Sequence, residues 1–229
     1  MNYPGKELEA FDKAKFFQKY TFFLTKKFIK KNILEIGAGI GSFTKNYSTN
    51  NKNNILLNDL DSKNLKIIKL KFSDFKNIKV TKKKINQINI KFNCIIYLNV
   101  LEHIKNDIKE INDAKKKLKK NGHLIFLVPA HQKLYTKFDK AIGHFRRYDI
   151  NFFKRSKPKD LSIVRLIYVD LLGYFLYYLN KLFFKKEVYP SLSKIILWDK
   201  IFVPITIILD FLFQYKFGKN VLCVYKKNS

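Results

Sequence analysis

Apolar residues gather in short runs along the first part of the chain, and lysine-rich stretches separate them. The runs are NILEIGA (32–38), NILLNDL (54–60), NIKV (77–80), NCIIYLNV (93–100) and HLIFLVPA (123–130), and NVLCVYKK (220–227) closes the pattern. Their lengths suit buried strands rather than buried helices. Between them the spacing predicts helices near 42–49, 62–73 and 105–120, with Gly122 as the stop signal of the last. Ahead of the first strand, Phe11, Phe16, Phe17, Tyr20 and Phe23 recur at helical spacing among lysines, which predicts one or two amphipathic helices over 6–31. Strands that alternate with helices imply an α/β fold, a Rossmann-like and mostly parallel sheet of seven strands with helices on both faces.

From about residue 161 the texture turns strongly apolar and aromatic, over 161–184 and 195–214. Arg165, Asp170 and Lys181 interrupt the first segment, and Asp199, Lys200, Pro204 and Asp210 interrupt the second. Neither offers the roughly 18–20 uncharged residues that a bilayer span requires. Trp198, Ile201, Ile205, Ile208 and Leu212 advance by three or four, the spacing of one helix face. Two readings stand open. These are helices that pack on the sheet, or a surface over 161–215 that lies on a membrane or accepts a lipid-like substrate. A chain of 229 residues fits one domain. We read a helical cap (1–31), a cofactor-binding core (32–160), and an apolar helical insertion with the last strands (161–229).

The formal charge of +28 changes this picture less than its size suggests. Lysines number 42 against four arginines, and asparagine, isoleucine and phenylalanine are also plentiful, as AT-rich coding would produce. The basic residues are scattered rather than gathered with stacking aromatics, so nucleic acid is not the expected partner. Attraction to acidic lipid or substrate remains, weakened by salt. Cys94 and Cys223 lie in strand-like runs without metal-site spacing, which predicts buried free thiols in a reducing compartment. The first residues, MNYPGKELEAF, hold no apolar signal-peptide core. The expected location is cytoplasmic, with or without membrane association.

The strongest chemical signal is ILEIGAGIGSFT, where a strand runs into Gly37, Gly39 and Gly41. Glycines let the backbone turn sharply and let a ligand approach main-chain N–H groups. Alone, the pattern would equally suit a dinucleotide. Glu35 at the strand end and Asp59 at the end of the second strand sharpen it, because Asp59 stands where an acidic group accepts from ribose hydroxyls. With these residues the chain resembles the class I S-adenosylmethionine-dependent methyltransferases, whose first motif is an acidic residue followed by G-x-G-x-G. The resemblance implies that Glu35, Gly37, Ala38, Gly39 and Gly41 surround the methionine end of the cofactor. It implies too that Asp59 binds the ribose and that Leu60 packs near the adenine. LNVLEHI (98–104) looks like the family's motif after the fourth strand, with Asn99 and Val100 flanking the cofactor. YPGKELEAFDKA, VPAHQKLYTKFDKAIGHFRRY and FGKNVLCVYKK are similar to one bacterial subgroup, sometimes found beside or fused to glycosyltransferases. The sequence departs from many relatives after strand three, where VTKKKINQINI has no carboxylate and Asn86 is the available substitute.

Glu102-His103 raises a metal question, because some methyltransferases acting on RNA ends or quinone precursors bind a divalent ion through E-x-x-E-H. Here Asn99 replaces the first glutamate, which weakens a hard-cation site. His131 is a conceivable further ligand, but the expectation is no metal, with the pair shaping the pocket floor. The loop after strand five leaves the carboxyl edge of the sheet, where ligands sit in open α/β folds. It carries Tyr135, Asp139, Arg146, Arg147 and Tyr148 as candidate acceptor-binding residues, and His144 and then His131 as candidate general bases. Arginine's planar fork suits a carboxylate or phosphate on the acceptor, or else Asp139 or Asp149 within the loop. The expected reaction is methyl transfer to a small-molecule, glycan or lipid-linked acceptor, with oxygen the favoured atom. A non-catalytic module binding RNA or acidic membrane is the alternative. A nicotinamide-dependent enzyme fits less well, since its loop usually reads G-x-G-x-x-G.

Overall fold

Residues 6–183 and 189–228 are described in a computed structural model of the protein. Two helices precede the sheet, α1 (Lys6–Asp12) and α2 (Lys15–Thr25). Then follow β1 (Asn32–Ile36), β2 (Asn54–Asn58), α3 (Ser62–Lys71), β3 (Ile78–Thr81), β4 (Phe92–Leu98), α4 (Asp107–Lys116) and β5 (Leu118–Pro129). Two short helices, α5 (Lys137–Ala141) and α6 (Ile150–Arg155), lead to β6 (Leu161–Val169). The last elements are α7 (Leu171–Phe183), α8 (Leu192–Leu197), a π-helical turn (Trp198–Phe202), α9 (Val203–Leu212) and β7 (Asn220–Lys227).

The seven strands form one sheet in the order β3-β2-β1-β4-β5-β7-β6, parallel except for β7, which runs antiparallel to both β5 and β6. Alternation along the strands divides the core between the two faces. In β4, Ile95 and Tyr97 join a cluster with Ile111 and Ala114 of α4 and Phe153 of α6. Cys94 and Ile96 point the other way, into a cluster with Tyr20 and Leu24 of α2 and Ile68 of α3. Side chains start the connecting helices: Asp61 accepts from Lys63 N–H at 2.7 Å, Asn106 from Lys109 N–H at 3.1 Å, and Asp149 from Phe152 N–H at 2.6 Å. Both cysteines are free and buried.

Three expected elements differ. Residues 42–49 form turns and a short 3₁₀ segment (Thr44–Asn46) rather than an α-helix. GSFTKNYSTN is rich in side chains that compete with the backbone for hydrogen bonds, and Thr44 and Tyr47 are drawn instead to Glu35. Gly122 is not a helix stop, because α4 ends at Lys116 and Gly122 lies inside β5. There the β4–β5 register shifts, and a Cβ at Gly122 would meet Lys119 O at 2.8 Å, so glycine permits the close backbone approach. The segment from 161, read as helical, begins as the edge strand β6, paired with β7 through a bulge between Ile163 and Arg165. The helices of this region, α7 to α9, are inserted between β6 and β7.

Candidate active site

The chain turns back between β1 and β4, so the carboxyl ends of these strands diverge and open a crevice. Gly37, Gly39 and Gly41, just past β1, take φ of 63°, 57° and 71°, values that favour glycine. A Cβ on Gly37 would stand 2.5 Å from Val100 Cγ2, and one on Gly41 2.5 Å from Phe72 Cε2. The loop is tied to the end of β2. Ala38 N–H donates to Asn58 O at 2.8 Å and Gly39 N–H to Asp59 Oδ2 at 2.8 Å. Asp59 Oδ1 also accepts from Asp61 N–H at 2.8 Å and from Asn64 at 3.3 Å, and burial raises its pKa. Glu35 accepts from Thr44 Oγ1 at 2.7 Å and from the Tyr47 hydroxyl, and burial pushes its carboxyl up to about 7.

Over this loop lies a cleft of about 2310 Å³. Every residue singled out for the cofactor lines it except Gly41, which packs on Phe72 instead. Asn99, at φ 53°, follows β4 and donates its N–H to Leu127 O at 2.8 Å, holding the LNVLEHI turn at the rim. Past β3 the lining residues Lys82, Lys84 and Asn86 include no carboxylate, as the sequence indicated. Glycine main chain, an acidic group at the β2 end and the exposed Leu60 beside it suit a ligand with ribose hydroxyls and an adjoining base.

The far part of the cleft is built from the loop after β5. His144 Nδ1 lies 3.0 Å from Asp139 Oδ1, while its Nε2 lies 3.7 Å from Glu102 Oε1. Glu102 is fully buried, neither of its carboxylate oxygens has a hydrogen-bond partner among the described residues, and burial raises its pKa to about 7. The His103 ring meets His144 edge-on at 4.6 Å, and burial, helped by that neighbour, lowers its pKa to about 4. Glu102, His103 and His144 offer one donor atom each within 4.8 Å of one another, a spacing that could hold a metal ion. The sequence reading counted Glu102 and His103 as pocket floor without a metal and missed this grouping. His144 stands some forty positions away, and its place in the loop after a strand was the only available clue.

The other singled-out residues divide. Arg147 is buried and clasps Asp139 through Nε at 2.9 Å and Nη2 at 3.0 Å, with Nη1 donating to Ala130 O at 3.3 Å. Its guanidinium lies 4.4 Å over the Tyr177 ring, whose hydroxyl donates to Asp139 Oδ2 at 3.0 Å. Arg146 pairs with Asp107 at 2.6 Å and with Lys105 O at 2.9 Å. Both forks thus close on groups of the chain itself, Arg147 on Asp139 as one sequence reading had it. Tyr148 is buried, donates to Leu101 O at 3.0 Å, and lies with Arg146 outside the cleft lining. Tyr135 lines the cleft and donates to His144 O at 2.6 Å. His131 also lies outside it, stacked on Tyr168 at 4.9 Å with Nε2 3.0 Å from Gly218 O.

A family profile described as a methyltransferase domain matches residues 8–157. No curated protein matches the chain. Among solved structures, coclaurine N-methyltransferase bound to N-methylheliamine and SAH is 13% identical, covers 93% of this chain and 72% of its own, and has a TM-score of 0.64. NodS, an N-methyltransferase from Bradyrhizobium japonicum WM9, in complex with S-adenosyl-l-homocysteine, is 13% identical over 100% of this chain and 90% of its own, TM-score 0.59. An S-adenosylmethionine-dependent methyltransferase from Clostridium acetobutylicum is 15% identical over 98% of each chain, TM-score 0.61. At such identities the likeness is one of fold; the profile, which spans well over half the chain, carries the assignment. The sheet order, the glycine loop and this match agree, and the chain belongs to the S-adenosylmethionine-dependent methyltransferase family.

Proposed function

We propose that the protein methylates a hydroxyl of a small-molecule, glycan or lipid-linked acceptor, with His144 as general base. The observation that carries this reading is the Asp139–His144 pair at the cleft wall. Asp139 accepts from Nδ1–H and so leaves Nε2 with the lone pair, the tautomer a base requires. S-adenosylmethionine supplies an electrophilic methyl group on a sulfonium. Glu35, the glycine loop and Asp59 would hold it, with Leu60 against the base. The cleft walls would hold the acceptor oxygen close to the methyl group, which by itself would lower the barrier substantially. His144 Nε2 would take the hydroxyl proton as the acceptor oxygen gains the methyl group and the sulfur–methyl bond breaks, with S-adenosylhomocysteine leaving. The sequence resemblance of the GHFRRY loop to a bacterial subgroup sometimes found beside or fused to glycosyltransferases supports a glycan or lipid-linked acceptor.

The test uses methyl-labelled S-adenosylmethionine with lipid and polar extracts as acceptor sources. Label in a base-stable ether, lost about a hundredfold or more in His144→Asn while S-adenosylhomocysteine binding persists, supports the reading. Wild-type transfer by His144→Asn, or label recovered on nitrogen, rejects it. The unpartnered Glu102 oxygens favour a second reading, in which Glu102, His103 and His144 hold a divalent cation. Transfer unaffected by a chelator excludes that one.

A further inference from the structure

The helical segment from α8 to α9 is inside out. Ile195, Asp199, Val203, Thr206 and Asp210 are buried, while Leu197, Ile201, Ile205, Ile208 and Leu212, two positions on from each, are 45 to 64% exposed. A surface helix of a soluble protein ordinarily turns its apolar stripe to the core and its polar face to water. Here two aspartates and a threonine share the inward face with Ile195 and Val203, and the aspartates are there for a structural reason. Asp199 accepts from the N–H groups of Phe16 and Phe17 at 3.0 and 2.9 Å, at the start of α2. Asp210 accepts from Asp170 and Leu171 N–H at 2.8 and 2.9 Å, at the start of α7, and from Tyr20 OH at 2.8 Å. The π-helical turn keeps steps of four between Ile195, Asp199 and Val203, so both acids reach the interior. Of the five residues at that spacing, Trp198 packs against Phe17 with ring centroids 5.1 Å apart, whereas Ile201, Ile205, Ile208 and Leu212 face outward, which reverses the reading that packed them onto the sheet.

We infer that this outward stripe docks the enzyme on an anionic lipid surface. Five exposed apolar side chains in one row along a helical segment mark an interaction face. Its charge selects the partner. With Asp199 and Asp210 turned in, residues 192–219 expose no carboxylate, and Lys194, Lys200 and Lys216 are exposed. A second copy would set lysines against lysines, whereas acidic headgroups complement them. No described helix is long and apolar enough to cross a membrane, so the segment lies on the surface. Leu197, the first residue of the stripe, also lines the cleft, as do Lys194 and Phe202, so docking brings the cleft mouth to the lipid. The inference does not depend on methyl transfer to any particular acceptor.

Flotation with vesicles tests it, using phosphatidylcholine alone or mixed with phosphatidylglycerol. The wild-type protein should float with the mixed vesicles, and roughly tenfold less should bind after Ile205→Glu with Ile208→Glu. Both sites are exposed, so an unchanged melting temperature and unchanged S-adenosylhomocysteine binding should accompany that loss. Three results overturn the inference. They are no binding of well-folded wild type to mixed vesicles, binding undiminished in the double variant, and a wild-type dimer in sedimentation that the same variant dissociates.

Discussion

Arg147 and Asp139 form a two-point clasp inside the protein, Nε to Oδ1 at 2.9 Å and Nη2 to Oδ2 at 3.0 Å. The same carboxylate accepts from the Thr136 backbone and from Tyr177, so one buried anion joins the loop after β5 to α7 and to His144. Two arginines in a lysine-rich chain thus answer a need for geometry rather than charge.

Arg147→Lys keeps the charge and loses the clasp. We expect a loss of about 2 kcal/mol, or a melting temperature lower by roughly 4–8 °C. Arg146→Lys, at a half-exposed pair, should cost under about 1 kcal/mol. A thermal melt of the two variants distinguishes them, and equal stability would contradict the clasp as a structural element.

Burial raises the pKa of Asp139, but the bonds from His144, Arg147 and Thr136 outweigh it and hold the group well below the usual carboxylate range. Its folded-state value is therefore below the unfolded one. The stabilisation is present above about pH 4 and is lost as pH falls through the folded value. Asp139→Asn should lose about 3 kcal/mol near neutrality. Denaturant titrations at several pH values should show that deficit shrinking below about pH 4.

Glu35 has the opposite sign. Burial lifts its pKa from 4.5 to about 7, so its ionisation opposes folding as pH rises through that window. The wild type should lose roughly 3 kcal/mol from this residue between about pH 4.5 and 7, and Glu35→Gln should not. A pH-independent difference between the two proteins would contradict this.

Gly41 and Gly39 should respond differently. Alanine at Gly41 meets Phe72 at 2.5 Å on a left-handed backbone, away from the cleft lining, and should cost about 2 kcal/mol of stability. Alanine at Gly39 carries the same left-handed backbone strain but meets only the Leu8 side chain, at 3.3 Å, so it should cost less stability, about 1 kcal/mol, and its larger effect should fall on ligand binding. Melting and binding measured on both variants check the division.

How much of this was legible in the sequence follows from how local each signal is. Parallel strands and the glycine loop with Glu35 and Asp59 were readable, because period, length and φ-tolerance are written within a few residues of one another. β6 was hidden because an edge strand leading into an apolar helix has no punctuation between them. The direction of the 197–212 stripe was also hidden, since spacing identifies a face but not what it faces. Only Asp199 and Asp210, bonded to the starts of α2 and α7, decide that. The joining of Asp139, His144 and Glu102 likewise depends on the β4 and β5 ends meeting at the cleft.

Calorimetric titration of S-adenosylhomocysteine into the wild type and Gly39→Arg tests cofactor binding at the glycine loop directly. One site is expected on the wild type and none on a folded Gly39→Arg, whose side chain would enter the cleft over the glycine loop. A folded wild-type protein that binds neither S-adenosylhomocysteine nor S-adenosylmethionine would contradict it.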